Sequence, residues 1–221
     1  MALEISIAPE LAGRVQLGVL LLDGVTVKDG DPALVSEIEA YGAELRERYG
    51  QGKSGEVPGA ADARTLYKAL GLDPTKTRPS NEALLRRVLK GEALYRVNTL
   101  VDALNLCSLR FQLPFGLYDF TQVAPPIVLR KGGPGESYEG IRKGPVHVED
   151  RPVLADTRGA FGNPSSDSAR TMITLAARQA LVVVYAPASY NVPRLEQVLD
   201  GTETTLVRHC GGARLDRARL T

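Results

Sequence analysis

The stretch LYRVNTLVDALNLCSLRFQLPFGLYDF, residues 94–120, contains a predicted helix and the proline turn that follows it. Asn98 or Thr99 can cap the start of this helix, because a short polar side chain accepts hydrogen bonds from the first free backbone amides. Asp102 and Asn105 follow Asn98 at spacings of four and three residues, so the three side chains share one helix face. That face is mostly polar, which makes it a candidate wall of a binding site.

Three more helices are predicted before this stretch. The first begins at Asp31, a cap followed by proline, and apolar residues recur at helical spacing until Gly50. The second covers residues 62–70 and the third covers residues 80–90. Ahead of them, VQLGVLLLDGVTV at residues 15–27 is typical of a buried strand, an Asp-Gly turn and a second strand.

After residue 126 the pattern changes to short β-like runs separated by glycine, proline and serine turns. These runs are IVLR (127–130), PVHVE (145–149), PVLAD (152–156), TMITL (171–175) and ALVVVYAP (180–187). A last helix is predicted over residues 192–210, where Gly211 and Gly212 end it. Helices in the first half and strands mainly in the second half predict an α+β fold.

Residues 50–59 are rich in glycine and are predicted to form a loop. The tripeptide Gly52-Lys53-Ser54 is similar to part of a phosphate-binding loop, but the complete pattern needs a glycine where this chain has Glu47. The pattern also needs a preceding strand, whereas a helix is predicted there. No phosphate-binding loop is therefore expected.

Composition narrows the class of protein. With 221 residues, of which 43% are hydrophobic, the chain can bury a sizeable core in one unit. No apolar run is long enough for a membrane helix, and residues 1–10 lack the pattern of a signal peptide, so we expect a cytoplasmic protein. The two cysteines, Cys107 and Cys210, are far apart and predict neither a disulfide framework nor a metal site. No cofactor is expected.

The net charge of +1 argues against a protein that coats nucleic acid along a strongly basic surface. Any contact with RNA must then be made by a local patch of positive side chains. Alternatively, the positive side chains of such a patch only solvate the outer face of a helix. The densest group of positive side chains comprises Lys76, Arg78, Arg86, Arg87, Lys90 and Arg96.

Taken together, three stretches resemble the B3/B4 domain of the phenylalanyl-tRNA synthetase β subunit and its freestanding homologues. They are RPSNEALLRRVLKG (78–91), the stretch 94–120 and VLADTRGAFGNPSSDSARTMIT (153–174). Within them, the family's arginine run, VDxxN core and proline turn correspond to Arg86-Arg87, Val101–Asn105 and Leu113–Asp119. The resemblance covers roughly residues 62–210 and implies a β-sandwich of unusual topology flanked by helices.

We therefore divide the chain into a strand and helix extension at residues 1–61, a B3/B4-like domain at residues 62–212 and a tail at residues 213–221. The extension is expected to pack on the same unit as the domain. The sequence leaves the oligomeric state open.

In the synthetase this domain hydrolyses tyrosine wrongly attached to tRNA, so the resemblance implies an aminoacyl-tRNA deacylase with tRNA as its partner. The expected catalytic residues are Asn105, Ser166 and Thr171, the substrate-binding residues are Asn98, Gly116, Asn163 and Ser168, and the positive side chains above contact tRNA. The alternative for the loop at residues 162–168 is a turn that satisfies its own backbone. For the other two residues the alternatives are structural. Asn98 can be only a helix cap, and Asn105 can be only an amide on the helix face.

Two departures from the family concern the chemistry. Gly116 stands where the synthetase has a histidine, and residues 171–177 lack the glutamate that reads the tyrosine hydroxyl there. Without such an acceptor, a pocket loses much of its preference for tyrosine. Two other functions therefore remain open, a tRNA-binding module without catalysis and an enzyme acting on a free amino-acid derivative.

Overall fold

The computed structural model describes residues 3–50 and 54–221 of the chain. In these residues, helices and strands occur in blocks along the sequence. Gly52 and Lys53 of the predicted loop lie outside these residues. The helices are α1 (Pro32–Tyr49), α2 (Ala60–Ala69), α3 (Ser80–Leu89), α4 (Thr99–Phe111) and α5 (Val192–Cys210). The strands are β1 (Ile5–Ile7), β2 (Val15–Asp23), β3 (Phe115–Asp119), β4 (Ile127–Lys131), β5 (Ser137–Gly140), β6 (Lys143–His147), β7 (Pro152–Asp156), β8 (Gly159–Asn163), β9 (Ser166–Asp167), β10 (Gln179–Pro187) and β11 (Ala213–Leu220).

The strands form two sheets and one hairpin. One sheet has the strand order β1-β4-β7-β8-β9, and the other has the order β11-β2-β10-β3. Strands β5 and β6 form the separate hairpin. Neighbouring strands are antiparallel except for β1 and β4, which run parallel. In the four-stranded sheet β2 pairs with β10 from Val15 opposite Pro187 to Asp23 opposite Gln179. Helices and antiparallel pairs together make an α+β fold, as predicted.

The four-stranded sheet is buried on both faces because apolar residues occupy both sides of its central strands. On β2, Leu17, Val19 and Leu21 pack into the core between the two sheets. Leu20 and Leu22 point the other way, into a second core shared with the helices. Burying one such side chain fully contributes roughly 1.5–3 kcal/mol. The continuous apolar run of β2 is therefore what places the sheet between a second sheet and a layer of helices.

The starts of α1 and α4 follow the predicted caps, whereas Ser80 is the first residue of α3 and donates to the Pro164 carbonyl instead of capping it. The Asn98 side chain accepts a hydrogen bond from the Val101 amide at 3.0 Å, and the Asp31 side chain accepts one from the Ala33 amide at 2.9 Å. Both interactions satisfy amides that have no partner inside the helix. The predicted last helix matches α5.

Two strand predictions are wrong. Residues 24–27 do not form the second strand of a hairpin, because the Val25 amide donates to the Arg178 carbonyl and the Thr26 amide to the Cys210 carbonyl. The run TMITL is not a strand either, since residues 169–171 form a 3-10 turn and the residues after it are irregular. The run 213–220, placed in the tail by sequence, forms β11 on the edge of the four-stranded sheet.

Both cysteines are buried free thiols. Among the helices in residues 3–50 and 54–221, none combines the length and the apolar character that crossing a bilayer requires.

Candidate functional site

A cavity of about 630 Å³ opens between α4, β3 and the tip of the β5–β6 hairpin. Its volume is in the range typical of pockets that bind small molecules. Helix α4 contributes Val101, Leu104 and Asn105, which lie at helical spacing, and β3 contributes Phe115 and Leu117, which alternate along the strand. The wall is therefore mainly apolar, with a few polar groups.

Asp167 is the most unusual of these polar groups. Its Oδ1 atom is buried and has no hydrogen-bond partner among the described residues, while Oδ2 is 3.5 Å from the Leu117 amide. Burial raises the pKa of Asp167 to about 7, and the nearby Tyr118 hydroxyl and Leu117 amide offset only part of this rise. A buried carboxylate oxygen without a partner is costly for folding, and carboxyl groups with a strongly raised pKa are found preferentially at functional sites.

Asn105 and Asn98 both line the cavity, but only Asn105 has an available side chain. The Asn98 side chain caps α4, and its amide nitrogen also donates to the Ile173 carbonyl at 3.3 Å. Asn105 is partly exposed and makes no side-chain hydrogen bond with any residue that the structure describes. It also borders a smaller cavity of about 170 Å³, which is lined by residues of α1 and of the segment 91–96. Asn105 can therefore bind a ligand without breaking a contact.

Asp102, on the same helix face, supports the fold. Its Oδ1 accepts a hydrogen bond from the Val97 amide at 3.1 Å, and burial raises its pKa. This bond fixes the turn that enters α4.

The hydroxyl-rich loop between β8 and β9 largely satisfies itself. Asn163 accepts hydrogen bonds from the Ser165 and Ser166 amides at 2.8 and 2.9 Å and donates to the Tyr138 hydroxyl. The hydroxyls of Ser168 and Thr171 are 3.0 Å apart, and Thr171 is fully buried. The predicted residues Asn163, Ser166, Ser168 and Thr171 are not among the described residues that line the cavity, and their catalytic and binding roles stay predictions.

Gly116 faces the interior of the sandwich. A Cβ atom at this position would lie 2.2 Å from the Tyr118 hydroxyl, and a Cβ at Gly162 would lie 2.4 Å from the same oxygen. The Tyr118 ring therefore fills the space beside both glycines. The residues of β3 that line the cavity are Phe115 and Leu117.

The predicted positive patch is divided in the structure. Arg86 and Lys90 line an open hollow of about 480 Å³, together with Arg64 and its partner Glu82. Arg87 is occupied by bonds to Glu92, the Ala93 carbonyl and the Tyr95 hydroxyl. Arg96 is 3.4 Å from Glu39. Lys76 and Arg78 are exposed on the connector before α3.

Asp167 and Arg142 both line the cavity, and neither was predicted as a site residue. Both belong to stretches of consecutive polar residues, and the short strand β9 and the hairpin turn decide which side chain points into the cavity. Within the part of the chain that the structure describes, no group of three or more His, Cys, Asp or Glu side chains could hold a metal ion.

Comparison with known proteins gives one family and a structural neighbour. A crystal structure of an N-terminal fragment of the phenylalanyl-tRNA synthetase β subunit from Pyrococcus horikoshii is similar at 12% identity and a TM-score of 0.47, covering 100% of this chain and 51% of that chain. The chain thus spans about half the length of that fragment. No curated protein matches the present chain. The model of the B3/4 domain matches residues 62–206, well over half of the chain, and the protein therefore belongs to the B3/4 domain family.

Proposed function

We propose that the cavity beside α4 binds the aminoacyl end of a charged tRNA and hydrolyses its ester bond, so that the protein edits misacylated tRNA in trans. Membership of the B3/4 domain family supports a substrate of this class. The observation that carries the proposal is that one mostly apolar cavity is lined both by Asn105, whose side-chain amide makes no hydrogen bond with the described residues, and by Asp167, whose Oδ1 has no hydrogen-bond partner among them. The same proposal places the protein in the cytoplasm, with tRNA as its partner.

The cavity has a suitable group for each part of an aminoacyl ester. Leu104, Phe115 and Leu117 offer an apolar surface to the amino-acid side chain. The amide nitrogen of Asn105 donates to the carbonyl oxygen, where negative charge develops as water adds. Asp167 in its ionised form accepts the proton of that water, which a pKa of about 7 allows near neutral pH.

The proposed reaction balances without a cofactor. A water oxygen bonds to the ester carbon while its proton passes to the Asp167 carboxylate. The tetrahedral intermediate then collapses, the bond between carbon and ribose oxygen breaks, and the protonated Asp167 returns the proton to that ribose oxygen. The products are a free amino acid and uncharged tRNA. An aminoacyl ester is already activated, so this sequence needs no side-chain nucleophile.

The experiment is a deacylation screen of tRNAs mischarged with different amino acids. The wild type is expected to release at least one amino acid faster than buffer, and its rate should rise with pH through about 7 as Asp167 ionises. Asn105→Ala should lower that rate roughly 10- to 100-fold, since it removes a donor to the developing oxyanion. Asp167→Asn should remove the dependence on pH.

The matched control is Asp150→Asn, which makes the same chemical change at an exposed turn residue with a φ of 57° that asparagine tolerates. It should behave as the wild type. If every mischarged tRNA stays as intact with the wild-type protein as with buffer, the editing function is abandoned. Turnover of amino-acid esters without RNA would instead indicate an enzyme of free amino-acid derivatives.

A second candidate is a tRNA-binding module without catalysis, and the hollow lined by Arg64, Arg86 and Lys90 favours it. Two of these three cations, Arg86 and Lys90, are exposed, so they can meet phosphates without desolvation of a buried charge. Binding of tRNA that depends on salt, without deacylation of any substrate, would support this candidate.

A further inference from the structure

The carboxyl group of Asp167 lies where the edges of the two sheets meet. Strand β9, which carries Asp167, is the last strand of the five-stranded sheet, and β3 is the last strand of the four-stranded sheet. The Leu117 amide of β3 is 3.5 Å from the Asp167 Oδ2 atom. Within its own sheet, Asp167 is the register partner of Gly162 on β8. Asp167 is therefore next to both β3 and β8.

The Tyr118 hydroxyl lies beside the same two strands. A Cβ atom at Gly116 of β3 would be 2.2 Å from this oxygen, and a Cβ atom at Gly162 of β8 would be 2.4 Å from it. The ring of Tyr118 makes a T-shaped contact with the Phe161 ring, with the centroids 4.9 Å apart. Because Gly162 is the register partner of Asp167, this packing holds the hydroxyl beside the strand pair that carries the carboxyl group.

The Tyr118 hydroxyl has a weak hydrogen-bond partner in the Tyr185 hydroxyl. The two oxygens are 3.3 Å apart, and either one could be the donor. This distance is longer than the roughly 2.7–2.8 Å that is usual between two hydroxyl groups. Both side chains are fully buried, so solvent does not compete for either hydroxyl. Since a hydroxyl hydrogen rotates to suit its acceptor, Tyr118 can accept from Tyr185 and donate elsewhere.

Tyr118 and Asp167 are close enough to change the acidity of each other. Burial is the largest cause of the rise in the pKa of Asp167 to about 7, and the Tyr118 hydroxyl acts against this rise. Burial, followed by the charge of Asp167, raises the pKa of Tyr118 well above its ordinary value. The phenol therefore stays protonated, and can donate, over the whole pH range in which Asp167 ionises.

Other titratable groups face Asp167 from the neighbouring elements. They are Tyr185 of β10, Tyr138 of β5, Lys143 of β6 and Arg142, which lines the same cavity. Two of these groups are already bound to Ser166, since the Tyr138 hydroxyl donates to its carbonyl at 2.5 Å and the Lys143 Nζ is 2.6 Å from its Oγ. Tyr118 is the neighbouring donor that has only the long contact with Tyr185 among the described residues.

We infer that the Tyr118 hydroxyl rotates to donate to the ionised carboxylate of Asp167 and so positions this base for the reaction, while Tyr185 donates to Tyr118. The inference rests on the proposed function, in which Asp167 is the base. Tyr118 is a positioning residue, because it is fully buried and is not among the described residues that line the cavity. A donor to the ionised form stabilises the charge, and a chain of two hydroxyls strengthens that bond.

The test follows the ionisation of Asp167 through the carbon-13 NMR signal of its carboxyl group, which is assigned by its absence from the spectrum of Asp167→Asn. Tyr118→Phe removes the hydroxyl and keeps the ring. The midpoint of the Asp167 titration should rise by about one pH unit, because the ionised form loses a donor while the neutral form loses little. The pH profile of deacylation should move upward by the same amount.

The matched control is Tyr190→Phe, the same change at a buried tyrosine that does not line this cavity and whose hydroxyl has no partner among the described residues. Its Asp167 midpoint should equal that of the wild type. The double variant Tyr118→Phe with Tyr185→Phe leaves neither hydroxyl of the pair unbonded, so it serves if the single variant folds poorly. It should show the same rise as Tyr118→Phe, and thermal unfolding checks that each variant is folded.

The outcomes separate the two proposals, because the titration of Asp167 needs no substrate. If Tyr118→Phe or the double variant titrates Asp167 at the wild-type midpoint while the wild type deacylates tRNA, the role of Tyr118 is overturned and the proposed function stands. An equal rise in Tyr190→Phe also overturns it, since the cause would then be a general change in packing. If the midpoint rises only without the Tyr118 hydroxyl but the wild type deacylates no tRNA, the hydrogen bond is supported and the proposed function fails.

Discussion

The guanidinium of Arg170 binds the carboxylate of Asp156 through two hydrogen bonds, 2.9 Å from Nη1 to Oδ2 and 3.0 Å from Nη2 to Oδ1. The Asp156 side chain is completely buried. Burial alone would raise the pKa of Asp156, but hydrogen bonds from Arg170 and from the Ala124 and Arg158 amides outweigh it and lower the pKa. The pair joins the end of β7 to the turn that precedes the cavity segment 172–175.

Asp156→Asn should destabilise the protein by on the order of 2 kcal/mol at pH 7, because it leaves a partly buried guanidinium without its charged partner. The pKa of Asp156 is lowered in the folded state, so its contribution is present above its ordinary pKa of 3.8 and is lost as pH falls through the folded value. The difference from the wild type should therefore shrink in acid. Urea unfolding at pH 7 and below pH 4 measures it. A constant difference would contradict this account.

Asp167→Asn should have the opposite dependence on pH. The folded pKa of Asp167 is about 7, above its ordinary value of 3.8, so the wild type loses stability as pH rises between these values. Asparagine resembles the neutral carboxyl and does not ionise. The variant should gain on the wild type by on the order of 3 kcal/mol between pH 4 and pH 8. Parallel denaturation curves of the two proteins across this range check the sign, and no relative gain would show that Asp167 is well solvated.

Replacing both Arg86 and Lys90 by glutamine should weaken tRNA binding at low salt and lower the salt slope by about 2, since each exposed cation can neutralise one phosphate. Arg87→Gln is the informative comparison, because its side chain is already bound to Glu92 and Tyr95. It should change binding much less. Filter binding over a range of salt measures both slopes, and an equal loss for Arg87→Gln would indicate that the whole helix face contacts RNA.

Structural features that depend on contacts between residues close in sequence were predictable, whereas features that depend on distant contacts were not. Caps such as Asp31 and Asn98 act within one turn, so the starts of α1 and α4 were predictable. The strand predicted at residues 171–175 failed because Ser168 caps a 3-10 turn through the Thr171 amide, and Arg170 holds that turn through the more distant Asp156. The position of Asn105 in the cavity wall was predictable from the helix periodicity and from the family motif. The direction of Asp167 is set by the pairing of β8 with a two-residue strand, which no local pattern indicates.

We propose that residues 1–61, 62–212 and 213–221 form one cooperative unit. Strand β2, from the first segment, pairs with β10 on one side and with β11 on the other. A fragment of residues 62–212 would lose this strand and expose the apolar surfaces that β2 covers in both cores. We expect the fragment to be insoluble or to lack a cooperative thermal transition, which circular dichroism measures. A fragment that unfolds cooperatively would show that the extension is dispensable.

The ring of Tyr118 occupies the space in which side chains at Gly116 and Gly162 would otherwise stand. These three positions are consequently interdependent in evolution. A relative that carries a side chain at the position of Gly116 must have a smaller residue at that of Tyr118, because a side chain cannot enter at Gly116 while this ring is in place. Aligned relatives should therefore show correlated substitutions at the two positions.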